Sequence, residues 1–150
     1  HWRALRWWGS CAFLLWGKGP YRFLGFQKKH VIGNPWNHKK LSRRITVCHP
    51  GLLHHRSLFE RFGKFNTEYR IVGDYEFLLR LPAETSSLHV DEITMHIADG
   101  GVSRSRHLEM LKEKRIAQSN CPRIGKFRAN FNFYDKLWRI PIAKAFNIPY

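Results

Sequence analysis

Helical and alternating apolar patterns share the middle of this chain, and the two ends follow neither. At residues 57–62, Leu58, Phe59 and Phe62 recur at helical spacing, and Gly63 is a natural stop. The polar turn Asn66-Thr67-Glu68 separates this helix from a second apolar run at 75–81. There Phe77, Leu78 and Leu81 fall on one helical face, which marks that face as core. Glu76 and Arg80 stand one turn apart on the opposite side as an exposed pair, and Pro82, without an amide hydrogen, ends or kinks the helix. A third helix is expected at 107–117, with Glu109, Lys112, Glu113 and Lys114 on its polar side.

Strand signals sit between these helices. Ile45-Thr46-Val47 has strand propensity and leads into Cys48-His49, and Leu52 and Leu53 rise as a short apolar strand out of His49-Pro50-Gly51. Within 88–98 the pattern predicts a turn at Asp91-Glu92, then Ile93, Met95 and Ile97 alternating with Thr94 and His96.

Residues 1–30 hold Trp2, Trp7, Trp8 and Trp16 among Arg, Lys and Gly, and Gly9, Gly17, Gly19-Pro20 and Gly25 interrupt any period. Three readings stay open: an interfacial anchor, an aromatic and basic nucleic-acid surface, or sequence outside the fold. The missing pattern favours the last. Residues 118–150 mix Lys and Arg with Phe127, Phe131, Phe133, Tyr134, Trp138 and Phe146. Packing against a missing half of the domain explains them, as does an amphipathic helix on a bilayer; Pro141 and Pro149, which shorten a helix, favour packing.

The 150 residues make one domain, and the net charge of +15 calls for a polyanionic partner: a nucleotide diphosphate, a nucleic acid or an anionic lipid. Cys11, Cys48 and Cys121 are widely spaced and odd in number, which argues for a reducing compartment and against a disulfide framework or a zinc site. On a strand, His54 and His55 point to opposite faces and form no ligand pair. The longest apolar run, at 11–16, is far short of the roughly twenty residues of a spanning helix. No secretory signal pattern opens the chain, so the expected location is cytoplasmic, with association at the inner membrane surface as a further expectation.

Asp74 stands where a loop becomes a helix. Aspartate there caps unpaired amide hydrogens, or acts as an acid or base. The order His49, Arg56-Ser57-Leu58-Phe59, Gly63-Lys64-Phe65-Asn66, Asp74-Tyr75-Glu76-Phe77-Leu78-Leu79-Arg80 and Gly100-Gly101-Val102-Ser103 resembles the C-terminal half of a family-2 glycosyltransferase. The resemblance covers roughly residues 31–115. It implies an α/β chain with part of a GT-A fold: a mixed sheet flanked by helices, the acceptor-side half at 31–117 and the N-terminal nucleotide-binding half missing. A complete domain of that kind is larger, and a first residue other than Met agrees with the expectation of a fragment.

By this resemblance the chain transfers a sugar, with inversion, from a nucleotide-sugar donor to a sugar or lipid-linked hydroxyl acceptor in polysaccharide or glycoconjugate synthesis. Asp74 is then the catalytic base, and His49, Gly100, Gly101, Ser103 and Arg104 contact substrate. Glu76, two residues along the helix, turns away from Asp74. The family holds the donor diphosphate through Mg²⁺ or Mn²⁺ on an upstream Asp-x-Asp motif. No carboxylate precedes Glu60 here, so the chain alone is expected to bind no cation and to transfer no sugar. The alternatives are a basic nucleic-acid-binding protein, for which the sequence carries no recognisable motif, and an inactive remnant.

Overall fold

The computed structural model describes residues 13–22, 29–32, 36–45, 47–93, 97–98 and 102–145. Helices and strands are mixed. The strand β1 (Phe13–Arg22) is followed by β2 (Lys29–Ile32), the short helix α1 (His38–Leu41), a 3-10 turn at His49–Gly51 and β3 (Leu52–His54). Then come α2 (Arg56–Phe62), α3 (Gly73–Arg80), β4 (Ser86–Ile93), β5 (Ile97–Ala98), α4 (Val102–Ser105), α5 (His107–Asn120) and α6 (Gly125–Ala145).

Every described strand pairs with β1. Leu14 to Trp16 carry β3 antiparallel on one edge and β4 parallel on the other. Further along, Tyr21 and Arg22 carry β2 antiparallel and β5 parallel. The expectation that residues 1–30 lie outside the fold therefore fails for 13–22. The apolar residues Phe13 to Trp16 run consecutively and give no alternation, and pairing on both edges holds them extended. Gly17, which breaks the period in the sequence, falls at a register shift between β1 and β4, where an irregular strand position suits glycine.

Two other strand expectations are corrected. Ile45 and Val47 lie in a loop, with Val47 buried and Thr46 outside the described residues; the strand of this region is β3, whose residues meet β1. Asp91 and Glu92 lie within β4 and make no turn; they fall at the irregularity where the pairing with β1 passes from Val90 to Ile93. Residues 94–96 of the expected alternation lie outside the described residues.

The core centres on α3. Tyr75, Phe77, Leu78, Leu79 and Leu81 are all buried, a wider set than one stripe, so α3 is enclosed on more than one side. They share a cluster with Leu41, Val47, Leu52, Leu58, Val72, Ala117 and Cys121. Burying a side chain of this kind is worth roughly 1.5–3 kcal/mol, so α3 is the element whose loss the domain could least tolerate. The helix ends as expected: Leu81 is extended, as a residue before proline prefers, and its carbonyl accepts from Arg123 Nη2 at 2.9 Å.

The α2–α3 connection is tied down by Arg80. This side chain meets Glu76 at 3.0 Å, donates to the carbonyls of Phe62 and of Lys64, the latter at 2.7 Å, and lies over the ring of Phe77. The expected exposed pair is thus a half-buried clamp. Gly63, which ends α2 at φ 78°, is needed twice over: the backbone there disfavours a side chain, and a Cβ would come within 3.2 Å of Arg80 Nη1.

Helix α5 also departs from expectation, since Glu113 and Lys114 turn inward. Lys114 Nζ donates to the carbonyl of Arg43 at 2.7 Å and sits over the Tyr75 ring, and burial, with Lys136 nearby, holds its pKa down to about 8. Gln118, buried on the same helix, donates to the Tyr75 hydroxyl at 2.7 Å, and that hydroxyl donates to the carbonyl of Leu41 at 2.5 Å. Helix α6 continues through Pro141, although the proline gives up one hydrogen bond to the preceding turn. Cys48 and Cys121 are free thiols, both buried.

Candidate functional site

The start of α3 needs partners for its amide hydrogens, because a helix cannot supply them to its own first turn. Val72 occupies the N-cap position and has no side-chain acceptor. The carboxylate of Glu113 from α5 takes the neighbouring amides instead, those of Arg70, Ile71 and Val72, at 3.2, 2.8 and 3.1 Å. Asp74, the second residue of α3, accepts from the amide of its own neighbour Tyr75 at 2.7 Å. The loop entering this helix is therefore held by Glu113, and Asp74 keeps its second oxygen, Oδ2, for another role.

Oδ2 lies 3.6 Å from Nδ1 of His49, with both side chains about one-third accessible or less, at 31% and 27%. His49 is placed there by the 3-10 turn, whose Pro50 sits at the turn's start and whose Gly51 amide closes it onto the carbonyl of Cys48 at 3.1 Å. Burial lowers the pKa of His49, and the Asp74 carboxylate opposes that shift. Its neighbour His54, at the end of β3, is driven down to about 4 by burial and then by the charge of His49. Both imidazoles are neutral at neutral pH. A proton on Nδ1 of His49 then faces Asp74 and leaves Nε2, a buried atom without a partner among the described residues, as an acceptor.

Aromatic rings form one wall. Phe59 and Phe77 stack at 5.0 Å between centroids, and Phe65 closes on both at 5.5 and 5.1 Å. His54 packs against Phe77 and His49, at 5.3 Å in each case. Phe65 is 41% exposed and meets the His49 ring edge at 6.0 Å, so it forms the open rim beside the polar pair.

Of the residues singled out by sequence, the structure brings His49 and Asp74 together. Gly100 and Gly101 lie outside the described residues, as does the side chain of Arg104. Ser103 is exposed in α4, and none of the described contacts joins it to His49 or Asp74. His54 and His55 do not share a strand: the first ends β3 and joins the rings, while the second is the N-cap of α2 and accepts from the Ser57 amide at 3.3 Å.

Sequence reasoning missed Glu113, whose three partners lie some forty residues away, and missed the Tyr75–Gln118 pair. A signal for Gln118 was present, since it stands two helical turns after the buried Leu111 and so shares its inward face. Phe65 was quoted as part of a motif, but its place on the rim depends on the fold.

Among the described residues no three His, Cys, Asp or Glu side chains converge as ligands, and one carboxylate beside neutral imidazoles lacks the hard oxygens that Mg²⁺ requires. The arrangement sets a partly exposed carboxylate, with one oxygen beside an imidazole, near an aromatic rim, and a carboxylate so placed can accept a proton. Compared with protein-family models, with curated proteins and with solved structures, the chain has no match.

Proposed function

We propose that this chain is the acceptor-side part of an inverting glycosyltransferase of the GT-A type, with Asp74 as its general base. The observation that carries this reading is the division of labour between two carboxylates: Glu113 holds the entry to α3, so Asp74 is left facing His49 and the open rim. The order of motifs from His49 to Arg80 supports the same reading.

In this mechanism the acceptor hydroxyl donates a hydrogen bond to Asp74 Oδ2 within about 3 Å. As its oxygen attacks the anomeric carbon of the donor sugar, the proton passes to Asp74. The bond from that carbon to the diphosphate oxygen breaks with its electron pair leaving on the diphosphate, and the configuration inverts. The Tyr75 amide keeps the carboxylate oriented through Oδ1, and His49 lies beside Oδ2. Phe65 offers a ring face to the C–H side of a sugar, an apolar contact available to any pyranose. Binding of the nucleotide, and of the Mg²⁺ or Mn²⁺ that accompanies it in such enzymes, falls to residues other than these, and no step here runs through the metal.

Two measurements test the proposal. Titration of the chain with a panel of methyl glycosides and short oligosaccharides, followed by amide NMR, is expected to move the signals of Asp74, Tyr75 and Phe65 for at least one sugar. Incubation with uridine, guanosine and thymidine diphosphate sugars and Mn²⁺ is expected to give no turnover from the chain alone. Silence towards every saccharide, together with sequence-selective binding of oligonucleotides, would replace this reading with a nucleic-acid one.

A further inference from the structure

Helix α6 packs against the domain with its less apolar side. Ala129 is fully buried, Asn132 donates to the carbonyl of Ser42 at 2.7 Å and to Gln118 Oε1 at 3.2 Å, and Phe133 lies under the guanidinium of Arg115. The opposite face is the aromatic one. At 100° per residue, Phe127, Phe131, Tyr134, Trp138, Pro141 and Ile142 fall within an arc of roughly 100°. Phe127 is 88% exposed, Trp138 72%, Phe131 62% and Tyr134 60%. Amphipathic helices of a folded domain ordinarily bury their apolar stripe, and a contiguous exposed patch of large apolar side chains marks a surface with a partner.

We propose that this stripe of α6 docks on an anionic lipid bilayer, with the helix lying in the plane of the interface. Charge complementarity selects this occupant. The helix carries Lys126, Arg128, Lys136, Arg139 and Lys144 against one acidic residue, Asp135, and Asp135 is paired with Arg139 at 3.0 Å. Lys126 lies on one side of the stripe and Arg128 and Arg139 on the other, so cations rim the aromatic arc where headgroup phosphates would stand. Trp and Tyr beside Phe are the side chains that settle at the boundary of headgroups and acyl chains. The net charge of +15 adds long-range attraction to such a surface. No described helix is long and apolar enough to cross a membrane, so this mode lies on the bilayer without spanning it.

The test is flotation of the 150-residue chain with vesicles. Vesicles of phosphatidylcholine with phosphatidylglycerol are expected to carry the chain up the gradient, those of phosphatidylcholine alone much less, and added salt should weaken the binding. The charge-conserving variant Phe131→Ser/Trp138→Ser should lower partitioning at least about tenfold, with its melting curve and circular dichroism unchanged because both side chains are exposed. Asp74→Asn should float like the parent, which separates this proposal from the catalytic one. Failure to float with anionic vesicles would overturn it. So would equal flotation of the serine variant, which would assign binding to bulk charge. So too would a concentration-dependent dimer in light scattering that the serine variant abolishes, which would make the stripe a contact between copies of the chain.

Discussion

The carboxylate of Glu113 accepts the amide hydrogen of Ile71 at 2.8 Å, across 42 positions of sequence, and the same side chain holds the amides on either side. This contact fixes the angle at which the chain enters α3. A buried or half-buried amide deprived of a charged acceptor costs about 1–3 kcal/mol. Glu113→Ala is therefore expected to lower stability by about 2 kcal/mol or more in urea unfolding, and Glu113→Gln by less, since one acceptor oxygen remains. A loss at Glu113→Ala no larger than that at Asp74→Ala would show that the two carboxylates share the load.

Asp74 should behave in the opposite way. In the enzyme containing both halves of the site, Asp74→Asn is expected to lower kcat at least about a hundredfold, the usual worth of general-base catalysis, while the melting temperature stays within about two degrees. The asparagine keeps an oxygen for the Tyr75 amide but takes up no proton. A near-normal kcat would remove the catalytic assignment.

Tyr75→Phe isolates a buried polar chain. The substitution strands the carbonyl of Leu41 and part of the Gln118 amide, both within the core, so a loss of about 1–3 kcal/mol is expected although the ring itself is retained. Gln118 also donates to the carbonyl of Ser42 at 3.0 Å and accepts from Asn132, so Gln118→Leu is destabilising by itself, and the double variant Tyr75→Phe/Gln118→Leu should lose less than the two single losses together. If the double variant is as unstable as the sum of the two singles, the hydrogen bond between them has no energetic weight.

Acid should weaken the fold through the paired histidines. In the unfolded chain His54 takes up its proton near 6.5, and in the fold only near 4. Between these values the unfolded state binds more protons, so stability falls as the pH drops through that window. His49 contributes in the same direction, with Asp74 opposing. After allowance for solvent screening the loss is on the order of 2 kcal/mol. Thermal melts at pH 7, 5 and 4 measure it, and His54→Phe, which suits the surrounding rings, should flatten the profile. A variant profile as steep as the parent's would place the acid sensitivity elsewhere.

The elements that could be read along the chain are those governed by neighbours a few residues away. The stop at Gly63, the end of α3 before Pro82 and the core positions Phe77, Leu78 and Leu81 follow from backbone restriction and helical period, both local. Placing Asp74 at a helix start and His49 beside a turn needed nothing more. Tertiary structure decided what those side chains meet. That His49 faces Asp74, that Phe65 forms the rim and that Glu113 takes the loop amides while Asp74 Oδ1 takes only that of Tyr75 all depend on packing α3 against β3, α2 and α5, and no local period encodes it.

The strand β1 lies beyond a reading by local period. Hydrogen bonds from strands on both edges hold Phe13–Arg22 extended despite its glycines and Pro20, and those partners come from as far away as Ala98. Helix α6 runs on through Pro141 to Ala145, further than the proline by itself suggests. Sequence by itself determined which residues are apolar and where the backbone must turn; only the tertiary structure decided which apolar face is buried, because burial depends on what stands opposite.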